Sequence, residues 1–191
     1  MARRRRKNKR EIPLWGLLGM VLFLTLYLFY REGTAYPGPA LEEDLSREEF
    51  FETYGPLAQE VGAAYDLYPS LILAQAALES NFGQSQLTQD YHNYFGIKGR
   101  KEDGVLFQTQ EVVQGDFQDQ EAYFRAYGSV EESFYDYGDL ISSLKRYGTV
   151  REATSVEEAA QALYPAGYST NPNYGDILIR LIEDYKLKKF D

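Results

Sequence analysis

The sequence predicts an α+β fold, in which a mostly helical domain with one β-hairpin is preceded by a single transmembrane helix. Three observations lead to this prediction. An uncharged apolar run fills residues 13–30, helix-start motifs recur after residue 45, and residues 105–127 are instead rich in β-branched and aromatic side chains. The 191 residues allow one domain of about 100 to 150 residues and a short additional segment.

Composition excludes several classes of protein. The chain has no cysteine, so disulfides, a thiolate nucleophile and cysteine-ligated zinc are excluded, and a single histidine, His92, excludes multi-histidine metal sites. Residues 1–11 hold seven Lys/Arg and one Glu, which leaves 13 basic and 28 acidic residues, a net charge of −15, for the rest. Such an acidic body is a poor ligand for a phosphate backbone, so we expect no nucleic acid partner, and we expect no cofactor and no metal.

The apolar run predicts a membrane anchor. Its 18 residues, PLWGLLGMVLFLTLYLFY, would form a helix of roughly 27 Å, close to the thickness of the hydrocarbon core of a bilayer. A cleaved secretory signal is the alternative, but the run exceeds the usual apolar core of about 7 to 15 residues and ends in bulky side chains. We therefore predict a transmembrane helix at residues 12–30 and, by the positive-inside rule, a basic cytoplasmic tail at residues 1–11. The expected location is the cell membrane, single-pass, with the remaining residues extracellular.

Residues 31–45, REGTAYPGPALEEDL, predict a linker because they contain glycine and proline and lack an apolar period. As a flexible coil, about 15 residues reach only about 20 Å. Residues 46–191 show no internal repeat and are predicted to form one folded domain.

Several helix starts are marked by capping-box patterns. These pair Ser46 with Glu49, Ser129 with Glu132, and Ser155 with Glu158. Asn171 followed by Pro172 resembles an N-cap and a first-turn proline ahead of a helix with apolar residues at helical spacing. Pro56 is predicted to divide the first helical stretch into two segments.

One segment departs from the helical pattern. Residues 105–113, VLFQTQEVV, and residues 121–127, EAYFRAY, have the composition of β-strands, with QGDFQDQ between them. The sequence therefore predicts a β-hairpin or a small antiparallel sheet beside the helices.

Residues 69–83, PSLILAQAALESNFG, predict a buried helix that ends at Gly83. Glu79 lies four residues after Gln75, beside the apolar stripe and in the last helical turn. Desolvation by that stripe and the partial negative charge at a helix C-terminus both favour a protonated carboxyl. A glycosidase acid needs this property, because it must keep its proton until the leaving oxygen takes it. The alternative is a glutamate that caps the turn through Ser80 or Asn81.

Five blocks in order resemble glycoside hydrolase family 73, the bacterial endo-β-N-acetylglucosaminidases. They are LILAQAALESNFGQSQL, NYFGIKG, TQE, FRAYGSVEESFYDYGDLI and YSTNPNY, and the resemblance covers about residues 47–187. It implies a lysozyme-like catalytic domain that cleaves peptidoglycan at the β-1,4 bond between N-acetylglucosamine and N-acetylmuramic acid. Glycan strands are therefore the expected substrate.

The resemblance also implies roles for two carboxylates. The glutamate of the LES block is the general acid, which corresponds to Glu79. A second carboxylate in the hairpin activates water or stabilises the transition state, and the TQE block assigns this role to Glu111. Its nearby rivals are Asp116, Asp119 and Glu121, and a solvated strand residue is the other interpretation of Glu111. Retaining, inverting and substrate-assisted routes all stay open.

The resemblance also implies a tyrosine beside the acid, contributed by the last block. Tyr174 is the first candidate and Tyr168 the second, for a hydrogen bond to the N-acetyl group or to the attacking water, although Tyr174 could equally be a core residue of its helix. Asn93, Tyr94 and Phe95 are expected to line the groove next to Glu79. His92 is expected to be a solvated loop residue without an active role.

Two other functions remain as alternatives. A lytic transglycosylase would share the ES-x-F segment at residues 79–82, but the glycine-rich GLMQ-type motif is absent. A non-catalytic wall-binding module would not need an acid beside an apolar helix face. The predicted tether suggests trimming or release of nascent strands at the membrane, with a multi-span membrane protein as a candidate partner.

Overall fold

The computed structural model describes residues 41–113 and 116–191, apart from the side chains of residues 41–46 and 108–120. The helices are α1 Leu41–Tyr65, α2 Pro69–Ser80, α3 Gln86–Tyr91, α4 Val130–Ser143, α5 Gly148–Arg151, α6 Val156–Leu163 and α7 Tyr174–Asp184, with 3₁₀ helices at Lys145–Tyr147 and Leu187–Phe190. The strands are β1 Gly104–Val113 and β2 Asp116–Arg125. This confirms a mostly helical α+β arrangement with one antiparallel hairpin.

The predicted membrane anchor lies outside the described residues, as do the basic tail and residues 31–40 of the predicted linker. Within the described ranges, no helix combines the length and apolar character needed to cross a bilayer. Residues 41–45, predicted as the end of the linker, belong to α1.

Helix α1 differs from the prediction at two points. It begins at Leu41, so Ser46 lies inside the helix and is not its N-cap. It also continues through Pro56 without dividing. Pro56 is on the exposed face, where water can bond the carbonyl that lacks a donor, while Phe51 and Ala58 on either side are buried in one core. Burial of both halves therefore holds the helix together.

The other two capping boxes are confirmed as helix starts. Ser129 caps α4 by accepting a hydrogen bond from the Glu132 amide, and Ser155 caps α6 by accepting one from the Glu158 amide. The prediction for α7 is two residues too early, because its N-cap is Asn173. Asn171 instead accepts the Asn173 amide through its side chain, at 2.8 Å, and so forms the turn before the helix.

Helix α2 is the central helix of the core. Ten of its twelve residues are buried, and it packs against α1, α6, α7 and the 3₁₀ helix Leu187–Phe190. At its N-terminus, the Asp191 carboxylate accepts hydrogen bonds of 2.8 Å from both the amide and the hydroxyl of Ser70. A carboxylate at this position satisfies an otherwise unpaired amide and interacts favourably with the helix dipole.

The C-terminus of α2 is also tied down. The helix ends at Ser80 rather than at Gly83, because Asn81 already adopts a left-handed conformation (φ 50°). The Ser80 hydroxyl donates to the Ala76 carbonyl at 2.6 Å and accepts from the Gly83 amide at 2.7 Å. Both ends of the helix are therefore held by side-chain hydrogen bonds, which restricts the last turn.

The hairpin pairs Gly104 with Arg125 at its base and Val113 with Asp116 at its tip. The second strand starts at residue 116, so most of the predicted connection QGDFQDQ is strand. Two backbone hydrogen bonds join the base to the preceding loop, from the Gly99 amide to the Tyr123 carbonyl (2.8 Å) and from the Arg125 amide to the Ile97 carbonyl (2.9 Å). The hairpin thus projects from the loop that follows α3.

Candidate active site

Glu79 lies in the last turn of α2 and is 8% exposed. Burial raises the pKa of its carboxyl from the ordinary value to about 7, although a hydrogen bond from Tyr174 opposes the shift. Burial thus shifts the carboxyl toward its protonated form, which is the direction that the sequence predicts. The neighbouring Ser80 hydroxyl bonds elsewhere, so the structure favours the chemical interpretation over a turn-capping glutamate.

A chain of buried hydrogen bonds ends on this carboxyl. The Tyr137 hydroxyl donates to Gln75 Oε1, Gln75 Nε2 donates to the Tyr174 hydroxyl at 3.1 Å, and that hydroxyl donates to Glu79 Oε1 at 2.7 Å. Each group in the chain donates toward Glu79. Since an amide offers one acceptor and one donor end, the Tyr137 bond fixes which end of Gln75 faces Tyr174.

The phenols around Glu79 remain protonated. Burial, together with the nearby Glu79 carboxylate, raises the pKa of Tyr137, Tyr168 and Tyr174 well above its ordinary value. Tyr174 is completely buried and stacks on Tyr168, with ring centroids 5.7 Å apart. Tyr174 is therefore both a core residue of α7 and a direct neighbour of the acid, so the two interpretations of this residue are compatible.

The two oxygens of Glu79 have different surroundings. Oε1 accepts the Tyr174 hydroxyl, which leaves Oε2 as the oxygen that holds an acidic proton. Gly96 faces Oε2 and adopts a positive φ of 60°. A Cβ at Gly96 would lie 3.8 Å from Oε2, at van der Waals contact, so the glycine leaves this side of the carboxyl without a side chain.

Tyr168, the second tyrosine candidate, and Phe95 pack against the tyrosines of the hydrogen-bond chain that ends on Glu79. The Tyr168 hydroxyl donates to the Phe95 carbonyl at 3.3 Å, and the Phe95 ring stacks on Tyr137 at 4.2 Å. Phe95 and Tyr168 also line a small cavity next to Gly96. Both side chains are buried, at 3% and 5% exposure, and their contact with substrate stays a prediction.

Asn93 and Tyr94 lie elsewhere than expected. Asn93 is 1% exposed, and its amide bonds Ile97 N, Ile97 O and Arg125 O at 2.9–3.0 Å. Tyr94 is buried, and its hydroxyl bonds that of Tyr54 at 2.6 Å. These side chains were predicted to line the groove, but their polar atoms are used internally, so Asn93 joins the hairpin to the loop and Tyr94 belongs to the core.

The hairpin carries the second candidate carboxylate. Glu111 lies in β1, where its backbone pairs with Gln118, and its side chain lies outside the described residues, as do those of Asp116 and Asp119. Among the described residues, no three histidine or acidic side chains lie close enough to hold a metal ion.

His92 is partly buried, whereas a solvated residue was expected. It ends α3 in a left-handed conformation, and its Nδ1 lies 3.2 Å from the Tyr127 carbonyl. His92 therefore has a structural role, because it ends α3 and starts the loop that contains Asn93.

Sequence reasoning placed Gln75 on the apolar stripe but gave it no role, and it overlooked Tyr137 and Gly96. One signal was available for Gln75, since it is an amide in an otherwise apolar helix face, one turn before a carboxylate. No signal pointed to Tyr137, because it is one of 17 tyrosines and its partner is 62 residues away.

Comparisons with known proteins agree with this geometry. A family model described as mannosyl-glycoprotein endo-β-N-acetylglucosaminidase matches residues 55–187. The chain is 33% identical over its full length to exo-glucosaminidase LytG of Bacillus subtilis (strain 168), of which it covers 70%. It is 38% identical over 154 residues to a probable N-acetylmuramidase of Lactococcus lactis subsp. lactis (strain IL1403), with 76% of this chain and 35% of that protein covered.

A solved structure shows the same fold. The catalytic domain of autolysin Auto from Listeria monocytogenes superposes with a TM-score of 0.67 at 30% identity, and the match covers 88% of this chain and 97% of that one. The range of the family model, residues 55–187, includes the helix with Glu79, the hairpin and the helix with Tyr174. The chain therefore belongs to the glucosaminidase family, glycoside hydrolase family 73, and is a glycoside hydrolase.

Proposed function

We propose that this enzyme hydrolyses the β-1,4 bond on the reducing side of N-acetylglucosamine in peptidoglycan, with Glu79 as the general acid. The observation that carries the proposal is the buried Glu79 carboxyl, with a pKa of about 7 and one oxygen left open beside Gly96. Burial keeps such a carboxyl protonated to higher pH than an exposed glutamate, so it can deliver a proton to the leaving oxygen near neutral pH.

Tyr174 assists by fixing the acid. Its hydroxyl holds Oε1, so the acidic proton is directed to Oε2 and toward the glycosidic oxygen. The hydrogen bond also strengthens as the carboxyl becomes charged, which offsets part of the cost of ionising a buried group. Glu111 is the proposed second carboxylate, which activates water or stabilises the oxocarbenium-like transition state from the hairpin.

The names of relatives support the substrate class but differ on the bond. LytG is an exo-glucosaminidase, the lactococcal relative is a probable N-acetylmuramidase, and a further relative, 40% identical over 123 residues, is the peptidoglycan hydrolase FlgJ of Escherichia coli (strain K12). Peptidoglycan is the substrate that unites these names. We assign the glucosaminidase bond because the family model that matches is a glucosaminidase.

The test is to digest purified glycan strands and to identify the new ends by mass spectrometry. Wild type should produce reducing N-acetylglucosamine ends, Glu79→Gln should lower the rate at least about 10³-fold, and Glu111→Gln should lower it by a smaller factor. Reducing N-acetylmuramic acid ends would replace the proposal with a muramidase, and anhydro ends would replace it with a lytic transglycosylase. Full activity in Glu79→Gln would refute the assignment of the acid.

The proposal includes a location at the outer face of the cell membrane. It rests on the uncharged run at residues 13–30, the basic residues before it and the short segment after it. An enzyme held there would trim or release nascent strands, and a multi-span membrane protein is the candidate partner. If a secreted form without residues 1–30 fully replaced the anchored protein in cells, this part of the proposal would be wrong.

A further inference from the structure

A small cavity adjoins the candidate acid at Gly96. This glycine is part of the cavity lining and is also the residue that faces Glu79 Oε2. Among the described residues, and apart from the adjoining ones, that oxygen is the one heavy atom within 4 Å of the position that a Cβ on Gly96 would occupy. The space beside Gly96 is therefore open, and the glycine forms the boundary between the acid and the cavity.

The surface that the cavity presents is almost wholly apolar. Its apolar lining comes from the side chains of Phe95, Ile97, Leu140, Tyr147 and Tyr168. Two cations also line it, but their charged ends lie over aromatic rings. Lys98 Nζ is 4.6 Å from the centroid of Phe124, and Arg146 Cζ is 4.6 Å from the centroid of Tyr147. The cavity therefore offers contact to a carbon group rather than hydrogen-bond partners to a polar one.

Access and size limit what the cavity can hold. Gly96, Lys98 and Leu140 keep part of their surface exposed, so the cavity opens to solvent between them. Its volume of about 20 Å³ is enough for one or two atoms of the size of water. A methyl group fits this space, whereas a sugar ring does not.

The proposed substrate carries a methyl group at a suitable distance from its reacting carbon. In N-acetylglucosamine the acetamido group is attached at C2, next to the carbon that reacts. An acetamido group has the geometry of a trans peptide unit, in which the two outer carbons are about 3.8 Å apart. The leaving oxygen must lie about 3 Å from Glu79 Oε2 to take its proton. A sugar in that position has its acetamido methyl within reach of a cavity that begins at Gly96.

We propose that this cavity binds the acetamido methyl of the N-acetylglucosamine unit whose glycosidic bond is cut, and that it selects the acyl group by size. The inference rests on the proposed function and deepens it. The lactyl methyl of N-acetylmuramic acid is a poorer occupant. The carbon that bears it also bears a carboxyl or peptide carbonyl, which the apolar lining would desolvate.

The test compares glycan strands that differ in one acyl group. The N-acetylglucosamine units alone are deacetylated enzymatically and then re-acylated with formyl, acetyl or propionyl groups, and kcat/KM is measured for the full chain purified in detergent. Formyl lacks the methyl, so kcat/KM should fall about fourfold through the lost burial of one carbon. Propionyl adds a carbon that the cavity does not hold, so kcat/KM should fall at least about tenfold.

A variant with a larger cavity supplies the second arm. In Leu140→Ala, the ratio of kcat/KM for propionyl to that for acetyl strands should rise at least about fivefold, because the additional carbon then has space. This ratio does not depend on the amount of folded protein, so a loss of stability leaves it unaffected. Leu144→Ala shortens an exposed leucine at the end of α4, outside the cavity lining, and should keep the wild-type ratio.

The outcomes separate the two proposals. Equal cleavage of the three strands by wild type, or a ratio that Leu140→Ala leaves unchanged, would overturn the acyl site. A response only to strands re-acylated on N-acetylmuramic acid would also overturn it, because the methyl would then belong to the other sugar. The proposed function fails separately, if wild type releases no reducing N-acetylglucosamine ends from natural strands. Calorimetric binding of the three strands to Glu79→Gln then still reports the acyl preference.

Discussion

The two candidate carboxylates lie on elements that are held in very different ways. Glu79 is on a helix that is packed on several sides and tied at both ends, at Ser70 and at Ser80. Glu111 is on a two-stranded hairpin that is joined to the domain at its base. An isolated pair of strands is only marginally stable in water. The comparison indicates that the proposed proton donor lies on a helix packed into the core, whereas the proposed second carboxylate lies on an element that is joined to the domain at its base.

The largest expected effect concerns the cost of burying Glu79. Its pKa is raised to about 7 in the folded protein, so its contribution to stability is fully present below the unfolded pKa near 4.5 and is lost as the pH rises to 7. The loss amounts to about 3 kcal/mol. Glu79→Gln removes the charge, so it should stabilise the protein by about 3 kcal/mol at pH 8 and have little effect at pH 4. Urea unfolding at both pH values measures this.

A matched control is Glu48→Gln, which removes one carboxyl from an exposed position of α1. If Glu79→Gln gave no more stability at pH 8 than at pH 4, burial would not penalise the ionised Glu79 carboxylate. The raised pKa of Glu79 would then be wrong.

The next effect concerns Asn93, which joins the base of the hairpin to the loop that precedes it. Asn93→Ala removes the bonds to Ile97 and Arg125 and leaves buried backbone groups unpaired, so we expect a loss of about 2 kcal/mol in the free energy of unfolding. Amide hydrogen exchange should accelerate at Gly99 and Arg125 much more than in the middle of α2. Equal acceleration in both places would show that the hairpin and the helical core open as one unit.

A smaller effect concerns the hydrogen-bond chain. Tyr174→Phe removes the bond that favours the ionised carboxyl, so the pKa of Glu79 should rise by about one unit. The alkaline limb of the pH–rate profile should shift to higher pH, and ¹³C NMR of the carboxyl should report the same shift without activity. Burial, which is the largest cause of the raised pKa of Glu79, stays in place in this variant.

Tyr137→Phe tests the direction of the chain. Without the Tyr137 donor, the Gln75 amide can turn and accept the Tyr174 hydroxyl, which then bonds Glu79 less often. We expect a shift in the same direction as for Tyr174→Phe, but smaller. A shift to lower pH in either variant would contradict the assigned donors.

The smallest effect concerns the N-terminus of α2. Asp191→Asn weakens the charge at the first turn and replaces one acceptor by a donor, at a cost of about 1 kcal/mol in thermal or urea unfolding. Asp139→Asn, on α4, is a suitable comparison away from this terminus. A loss no larger than in the comparison would show that the helix does not depend on this contact.

Local chemistry made the helices and the hairpin predictable. Ser129 and Ser155 cap helices because the bonds they form involve residues three positions away, and the apolar stripe around Glu79 predicts burial from spacing alone. The prediction that Pro56 divides the first helix was wrong, because the packing that keeps the helix continuous is tertiary and does not show in the local sequence. The link from Tyr137 to Gln75 joins chain segments that meet only in the fold, so no local pattern reveals it.

The two hydrogen bonds between Asp191 and Ser70 also affect the order of folding. It joins residues 121 positions apart, and the same end of the chain places Phe190 against Gly55 and donates from Lys189 to Glu52. Contacts of such long sequence separation form late, because the closure of a long loop must precede them. We therefore expect the helix that carries Glu79 to reach its final packing only after residues 187–191 have docked on it.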